Sequence, residues 1–333
     1  MGTFETVRDR YASSVETLLQ GFLKEASRHT GEAISSMTAY QFETGGKRLR
    51  AVIPSYIFEC LGRDGAVVVP FGAAVEMIHN ATLVHDDLQD GDEMRRGHPT
   101  VWKKYSSAQA INCGDAMFQY AFQLIRRLEL PPTAVLNLMD RATAATLKVI
   151  EGQAQEFIMK DESRPGLGRY LEVIRGKTSG LFALPIAGAL EAAGCDGAQV
   201  DCVERAAQDL GVLFQIQDDY LDLYGEKGRD HRATDIAEGK VSYFVAHVYE
   251  RGTPAQRDAL SRIIKKPREQ TSEADIDRAL AIIEEVGAKD AARAYMGRIL
   301  EGAKADRELG ALPAVHGALV ALCDRFLKPI SSL

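Results

Sequence analysis

Two segments of this chain carry apolar residues at three- and four-residue steps and then end in the same acidic pattern. Phe71, Ala74, Val75, Ile78, Ala81, Thr82 and His85 line one helical face that runs into His85-Asp86-Asp87-Leu88-Gln89-Asp90. Val203, Ala206, Ala207, Leu210, Leu213 and Phe214 lead in the same way into Gln215-Ile216-Gln217-Asp218-Asp219-Tyr220-Leu221-Asp222. That period requires two long helices, each with carboxylates four apart on one side: Asp86 with Asp90, and Asp218 with Asp222. Proline leaves such helices room, because Ile186 to Thr253 contains none. Strand signals are poor: the short run Val67 to Val69 lies between Gly65 and Pro70, and no two-residue alternation persists beyond it. The expected fold class is all-α. With no repeat, low-complexity tract or linker between the two segments, a single domain over residues 1–333 is expected.

Charge and cysteine usage exclude several classes of protein. The net charge of −7 lacks the basic footprint of a nucleic-acid binder, and 46% hydrophobic residues match an ordinary globular chain. The charge-free run Thr178 to Leu190 is short of the roughly 20 residues a bilayer needs, and no transmembrane segment is expected. Cys60, Cys113, Cys195, Cys202 and Cys323 are odd in number, lack metal-like spacing and have apolar neighbours. They read as reduced core residues of a cytoplasmic protein.

Carboxylates four apart repel each other by a few tenths of a kcal/mol on an isolated helix, so a chain that builds this twice invites a ligand. Oxygen-only donors favour a hard cation, and Mg²⁺ is held through one or two carboxylates together with substrate phosphates. The pattern therefore points to magnesium and a diphosphate. Local cations must attract such an anion to an acidic chain, and they come in tight groups. Gly45-Gly46-Lys47-Arg48-Leu49-Arg50 offers a flexible turn and three positive side chains. Arg95-Arg96-Gly97-His98 follows the first acidic row, while Gly228-Arg229 and Gly239-Lys240 follow the second.

Taken in order, GGKRLR, HDDLQDGDEMRRGHPT, AINCGD, GQAQE, GKTSGLF, FQIQDDYLDLYG and DIAEGK resemble the trans-type isoprenyl diphosphate synthases, the polyprenyl synthetase family, over roughly residues 45–243. The resemblance implies a single helical bundle around a deep central cavity, two Asp-rich motifs facing one another at its mouth, and a homodimer. It implies that Asp86, Asp90 and Asp218 hold Mg²⁺ directly, with Asp87, Asp219 and Asp222 supporting or sharing that coordination. Arg95, Lys177, Gln215 and Lys240 would contact an allylic diphosphate. Lys47, Arg50, His79 and Arg96 would bind isopentenyl diphosphate. His79 precedes Asp86 by seven residues, two turns on the same side.

The implied reaction is 1'-4 prenyl transfer, in which Lys177, Thr178 and Gln215 supply oriented dipoles to an allylic cation. Two positions depart from the family pattern. Glu156 stands where GQxxD has aspartate, which keeps the charge on a longer arm, so activity is expected. The cation after Asp222 is left open among Lys227, Arg229 and Arg232. Product length is set by what lies beneath Asp86. Ala81, about 7.5 Å down the helix, and its neighbour Thr82 are small where the resemblance would put an aromatic floor in a farnesyl-type enzyme, and Ile78 begins the next layer. Deeper closure would fall to Met77 and Ala74, or to Phe118, Tyr120 and Phe122. The expected product is C20, geranylgeranyl diphosphate, ahead of a longer chain and of farnesyl diphosphate. A terpene cyclase would lack the isopentenyl site that GGKRLR and Arg96 suggest. A metal phosphohydrolase would leave the duplicated rows without a role, and a non-catalytic subunit would lose one of them.

Overall fold

A computed structural model describes residues 2–46, 48–225 and 233–331, and it is all-α apart from one two-residue hairpin. Its helices are α1 (Phe4–Thr30), α2 (Glu32–Glu43), α3 (Leu49–Cys60), α4 (Val69–Asp90), α5 (Val101–Lys104), α6 (Ser107–Ile125), α7 (Pro132–Asp161) and α8 (Leu167–Lys177). They continue as α9 (Ser179–Ala192), α10 (Gly197–Tyr224), α11 (Thr234–Ala237), α12 (Tyr243–Arg251), α13 (Pro254–Ile264), α14 (Glu273–Glu285), α15 (Ala288–Ala305) and α16 (Pro313–Ser331). The chain divides into two compact units, residues 1–146 with 183–204 and residues 147–182 with 205–333.

In the first unit, Thr3 caps α1 by accepting from the Thr6 amide, and Val7, Tyr11, Val15, Leu19 and Phe22 then bury one stripe of that helix. Helix α4 is the unit's apolar axis. Phe71, Ala74, Val75, Ile78 and Ala81 are fully buried, as their spacing predicts, and Gly91 ends the helix in the left-handed conformation. The segment Gly65–Asp90 has the length and apolarity to cross a bilayer, yet 72% of its most apolar window is buried inside the protein. It is a core helix. Close approach on both flanks depends on absent side chains: a methyl at Gly72 would fall 2.0 Å from the Ala51 carbonyl oxygen of α3, and one at Gly114 of α6 would fall 2.2 Å from His85 Nε2.

After α4 the strands β1 (Met94–Arg95) and β2 (His98–Pro99) pair antiparallel, a feature the strand signals do not reveal. Arg96 and Gly97 form the turn with φ of 51° and 80°, the left-handed pair that a two-residue hairpin requires.

In the second unit, α10 packs so tightly on the start of α9 that a methyl at Gly211 would sit 2.5 Å from Ser179 Cα. A methyl at Gly152 of α7 would meet the Lys177 amide nitrogen at 2.2 Å, so α7 and the end of α8 touch through backbone. Tyr220, Tyr224 and Phe244 form an aromatic cluster behind the acidic end of α10, with ring centroids 4.9–6.1 Å apart. All five cysteines are free thiols, with Cys60, Cys113 and Cys323 buried and Cys195 and Cys202 half-buried.

The α3 contact makes Gly72 intolerant of any side chain. Gly72→Ala should lower unfolding stability by about 2 kcal/mol through overpacking, measured as a shift in the denaturant midpoint at constant m-value.

Candidate active site

The candidate residues fall into two groups, one in each unit. The first is built on α4. Asp86 and Asp90 are half-exposed on one side of its last turns, while Asp87, one residue round the helix, is 1% exposed. Arg95 reaches back from β1 and donates from Nε to Asp87 Oδ1 at 2.8 Å and to Oδ2 at 3.0 Å, with a further contact from Nη2. Burial raises the Asp87 carboxyl above its ordinary value while Arg95 opposes the rise. Asp87 thus acts as the fixed counter-ion of Arg95, and the two outward carboxylates of the row are Asp86 and Asp90.

His79 lies two turns before Asp86 and meets Arg50 Nη1 at 3.3 Å. Desolvation, and then the positive charges of Arg50, Arg95, Arg96 and Arg48, hold its imidazole well below the usual range, so it is neutral. Arg96 donates to the Gly45 carbonyl, which ties the hairpin to the glycine turn. Arg48 faces inward, 10% exposed, and pairs with Glu76 and Glu16 at 3.4 Å. The glycine turn therefore presents one fewer outward cation than its sequence suggests. Lys47 lies outside the described residues. Of the floor residues, Ala81 and Ile78 are buried, and Thr82 is half-exposed with its hydroxyl donating to the His79 carbonyl at 2.8 Å. Phe118 stands beside His85, rings 5.9 Å apart, whereas Tyr120 packs into the core against Phe22.

The second group is built on α10. Asp218 is exposed. Asp219 is buried and accepts from Tyr170 Oη at 2.7 Å, Gln215 Nε2 at 2.9 Å and the Tyr243 amide at 2.8 Å. Burial outweighs those three donors and pushes its carboxyl up to about 6. Thr178 donates to Gln215 Oε1 at 2.8 Å, so Thr178, Gln215 and Asp219 form one chain of hydrogen bonds. Asp222, also buried, accepts from the Thr234 hydroxyl at 2.6 Å and the Asp235 amide at 3.0 Å, which fixes the segment after the acidic row. Lys177 pairs with Glu156, and Lys240 with Glu238 at 2.7 Å. Lys227, Arg229 and Arg232 lie outside the described residues.

Several participants escape sequence reasoning. Asp235 joins the second group electrostatically: burial and the nearby Asp222 raise its carboxyl well above the ordinary value. Nothing local in the sequence marks it as a neighbour of that row. Tyr170 and the Tyr243 amide come from other helices and likewise carry no local signal. Glu76 does carry one, as the only acidic residue in the apolar run from Gly65 to Val84.

The donor set suits a hard cation. Each group offers carboxylate oxygens, and no three His, Cys, Asp or Glu side chains among the described residues converge on a single point. Magnesium bound with a diphosphate needs only one or two protein carboxylates, so this sparse set fits.

Residues 31–283 match the family model for polyprenyl synthetase. The chain is 30% identical to a geranylgeranyl pyrophosphate synthase of Geoglobus acetivorans over 330 residues, 97% of this chain and 98% of that one. A farnesyl diphosphate synthase of Geobacillus stearothermophilus is 37% identical over 242 residues, 69% and 80% of the two chains. A polyprenyl synthase from Caulobacter crescentus CB15, solved in complex with calcium and isoprenyl diphosphate, superposes with a TM-score of 0.77 at 27% identity, covering 96% of this chain and 98% of that one.

The Asp87 and Arg95 pair gives a stability test. Asp87→Ala should cost about 3–5 kcal/mol by leaving a buried guanidinium without its counter-charge. The double variant Asp87→Leu/Arg95→Met should recover a large part of that loss in the same denaturation assay.

Proposed function

Because the chain belongs to the polyprenyl synthetase family and is a trans-prenyltransferase, we propose that it condenses isopentenyl diphosphate with an allylic diphosphate to give geranylgeranyl diphosphate. The observation that carries this reading is the division of labour within each acidic row. One carboxylate of each adjacent pair is buried and bonded internally, Asp87 by Arg95 and Asp219 by Tyr170, Gln215 and Tyr243, while its neighbour is directed outward. That arrangement supports Asp86, Asp90 and Asp218 as the magnesium ligands, with Asp87, Asp219 and Asp222 holding the elements that carry them. The calcium and isoprenyl diphosphate of the Caulobacter crescentus structure support a divalent cation and a prenyl diphosphate as ligands of this chain by likeness.

Magnesium, when bound, neutralises the charge that builds on the departing diphosphate. The chain's own residues do the rest. Arg95, Lys177, Lys240 and Gln215 bind the allylic diphosphate, joined by one of Lys227, Arg229 and Arg232 from the loop after Asp222. Arg95, fixed by Asp87, can stabilise the leaving oxygens without having to reorient during the reaction. The allylic C–O bond breaks and its electron pair leaves with the diphosphate. Lys47, Arg50, His79 and Arg96 hold isopentenyl diphosphate so that its double bond forms the new C–C bond, and the proton lost from the adjacent carbon passes to a diphosphate oxygen. Thr178 donates to Gln215 and Gln215 to Asp219, an order that orients the oxygen atoms of Thr178 and Gln215 as dipoles for the cation.

We read the working form as a cytoplasmic homodimer. Ile111 on α6 and Leu136, Leu147, Ile150 and Ile158 on α7 are exposed large apolar side chains, which supports their burial against a second copy. The free thiols support a reducing compartment.

Purified protein incubated with isopentenyl diphosphate, dimethylallyl, geranyl or farnesyl diphosphate and Mg²⁺ should give a C20 product by mass spectrometry, and EDTA should abolish it. Absence of any elongated product would overturn the reading. Thr82 lies four residues before Asp86, about 40° round the helix, and Ala81 about 140° round. Thr82→Phe and Ala81→Phe should each shift the product toward C15, and an unchanged C20 product from both would refute the depth assignment.

A further inference from the structure

The first group of cations surrounds one acidic residue to which the reaction gives no role. Glu76 sits on α4 one turn before His79 and is 4% exposed. A carboxylate so deep must be paired and hydrogen-bonded to remain there. Asn80 Nδ2 donates to Glu76 Oε1 at 3.3 Å and to the Glu76 carbonyl at 2.9 Å, while Asn80 Oδ1 accepts from Gln41 Nε2 at 3.4 Å. This chain holds the carboxylate towards Arg48, whose Nη1 lies 3.4 Å from Oε1.

Arg48 is the residue through which the glycine turn enters α3, and it does so with φ of 48°, a left-handed conformation that an L-residue with a side chain resists. Its guanidinium holds it there. Arg48 Nη2 donates to the Phe42 carbonyl at 2.7 Å, and the group lies 4.9 Å from the centre of the Phe42 ring. On the other side of the turn, a methyl at Gly46 would come within 2.8 Å of Arg96 Nη1 and 3.4 Å of Arg48 Nη1. The two guanidiniums thus bracket the Gly45-Gly46 backbone. Arg96 grips the Gly45 carbonyl, and the first turn of α3 beyond Arg48 carries Arg50, which meets His79.

We propose that Glu76 is a positioning residue for the isopentenyl diphosphate site: by holding Arg48 inward it fixes the glycine turn that leads into Arg50 and that anchors Arg96 of the hairpin, the two cations that address the diphosphate. The proposal rests on the functional reading above for the identity of the anion, and on the hydrogen-bond geometry for everything else. With the charge of Glu76 removed, Arg48 lacks its buried counter-ion and becomes a mobile cation within the site. The turn then loses one of its two brackets.

The direct probe is inorganic pyrophosphate titrated into the full-length protein in EDTA, where the acidic rows carry no metal and the cation group alone can bind it. Glu76→Gln keeps the shape of the side chain and should weaken pyrophosphate binding about tenfold, as expected for loss of a charge-assisted contact. The same variant should raise KM for isopentenyl diphosphate by a similar factor while kcat and KM for the allylic substrate stay within about twofold. Adding Arg48→Met to Glu76→Gln should weaken binding no further, since both changes release the same bracket. Glu16→Gln, which removes the exposed partner of Arg48, should change binding less than about twofold.

Equal pyrophosphate affinity in the wild type and Glu76→Gln, or no binding in EDTA at all, overturns the inference. So does a fall in kcat with KM for isopentenyl diphosphate unchanged, which would mark a structural role only. A protein that shows the expected pyrophosphate pattern but forms no prenyl product would leave the positioning role intact and remove the functional reading alone.

Discussion

Carboxylates and guanidiniums crowded onto neighbouring helices stay ionised and in place only if each buried charge has a fixed partner. Within each compact unit, several charges are assigned a partner in this way. Asp87 and Arg95 satisfy each other in a bidentate clamp, Glu76 takes Arg48, and Glu156 takes Lys177. Asp86, Asp90 and Asp218 keep access to solvent on the same helices. The close-packed helices are what make the assignment stable, because a buried charge can only stay ionised if its partner cannot drift away.

The two acidic rows solve the same problem by different chemistry. In the first row a guanidinium supports the buried aspartate. In the second, a phenol, a side-chain amide and a backbone amide do so, and all three are formally neutral. Burial outweighs these three donors and, with the charge of Asp218, pushes Asp219 up to about 6, while burial also raises Asp87 against the opposing guanidinium. The negative charge of Asp218 adds to the rise of Asp219, and those of Asp222, Asp219 and Asp218 add to the rise that burial gives Asp235.

Much of this was legible from residue order. The three- and four-residue spacing from Phe71 to Asp90 gives the helix and its buried face, and the recurrence of DDxxD gives the chemistry. Spacing alone does not say which aspartate of each row turns inward, because that depends on partners far away in the chain, and only the family resemblance singles out Asp87, Asp219 and Asp222 as supporting or sharing. Asp87 is defined by a hairpin whose two-residue strands are too short to leave a periodic signal, and whose turn begins with an arginine in a left-handed conformation. Asp219 is defined by Tyr170 and by the amide of Tyr243, neither of which advertises a polar role. Arg48 looks like a ligand in the sequence because it stands between Lys47 and Arg50, and only its left-handed backbone directs it to Glu76. Helix α4 itself was readable as amphipathic, yet a lone glutamate within an apolar run reads as an anomaly until the arginine opposite it is seen.

Three glycines, at positions 72, 152 and 211, bring helices together through backbone contacts too close for a methyl group. They act as gauge blocks that hold the spacing of the scaffold constant. Divergence towards bulkier residues is closed at those points, so descendants of such a chain can vary half-exposed positions such as Thr82 while the frame carrying the charges keeps its dimensions.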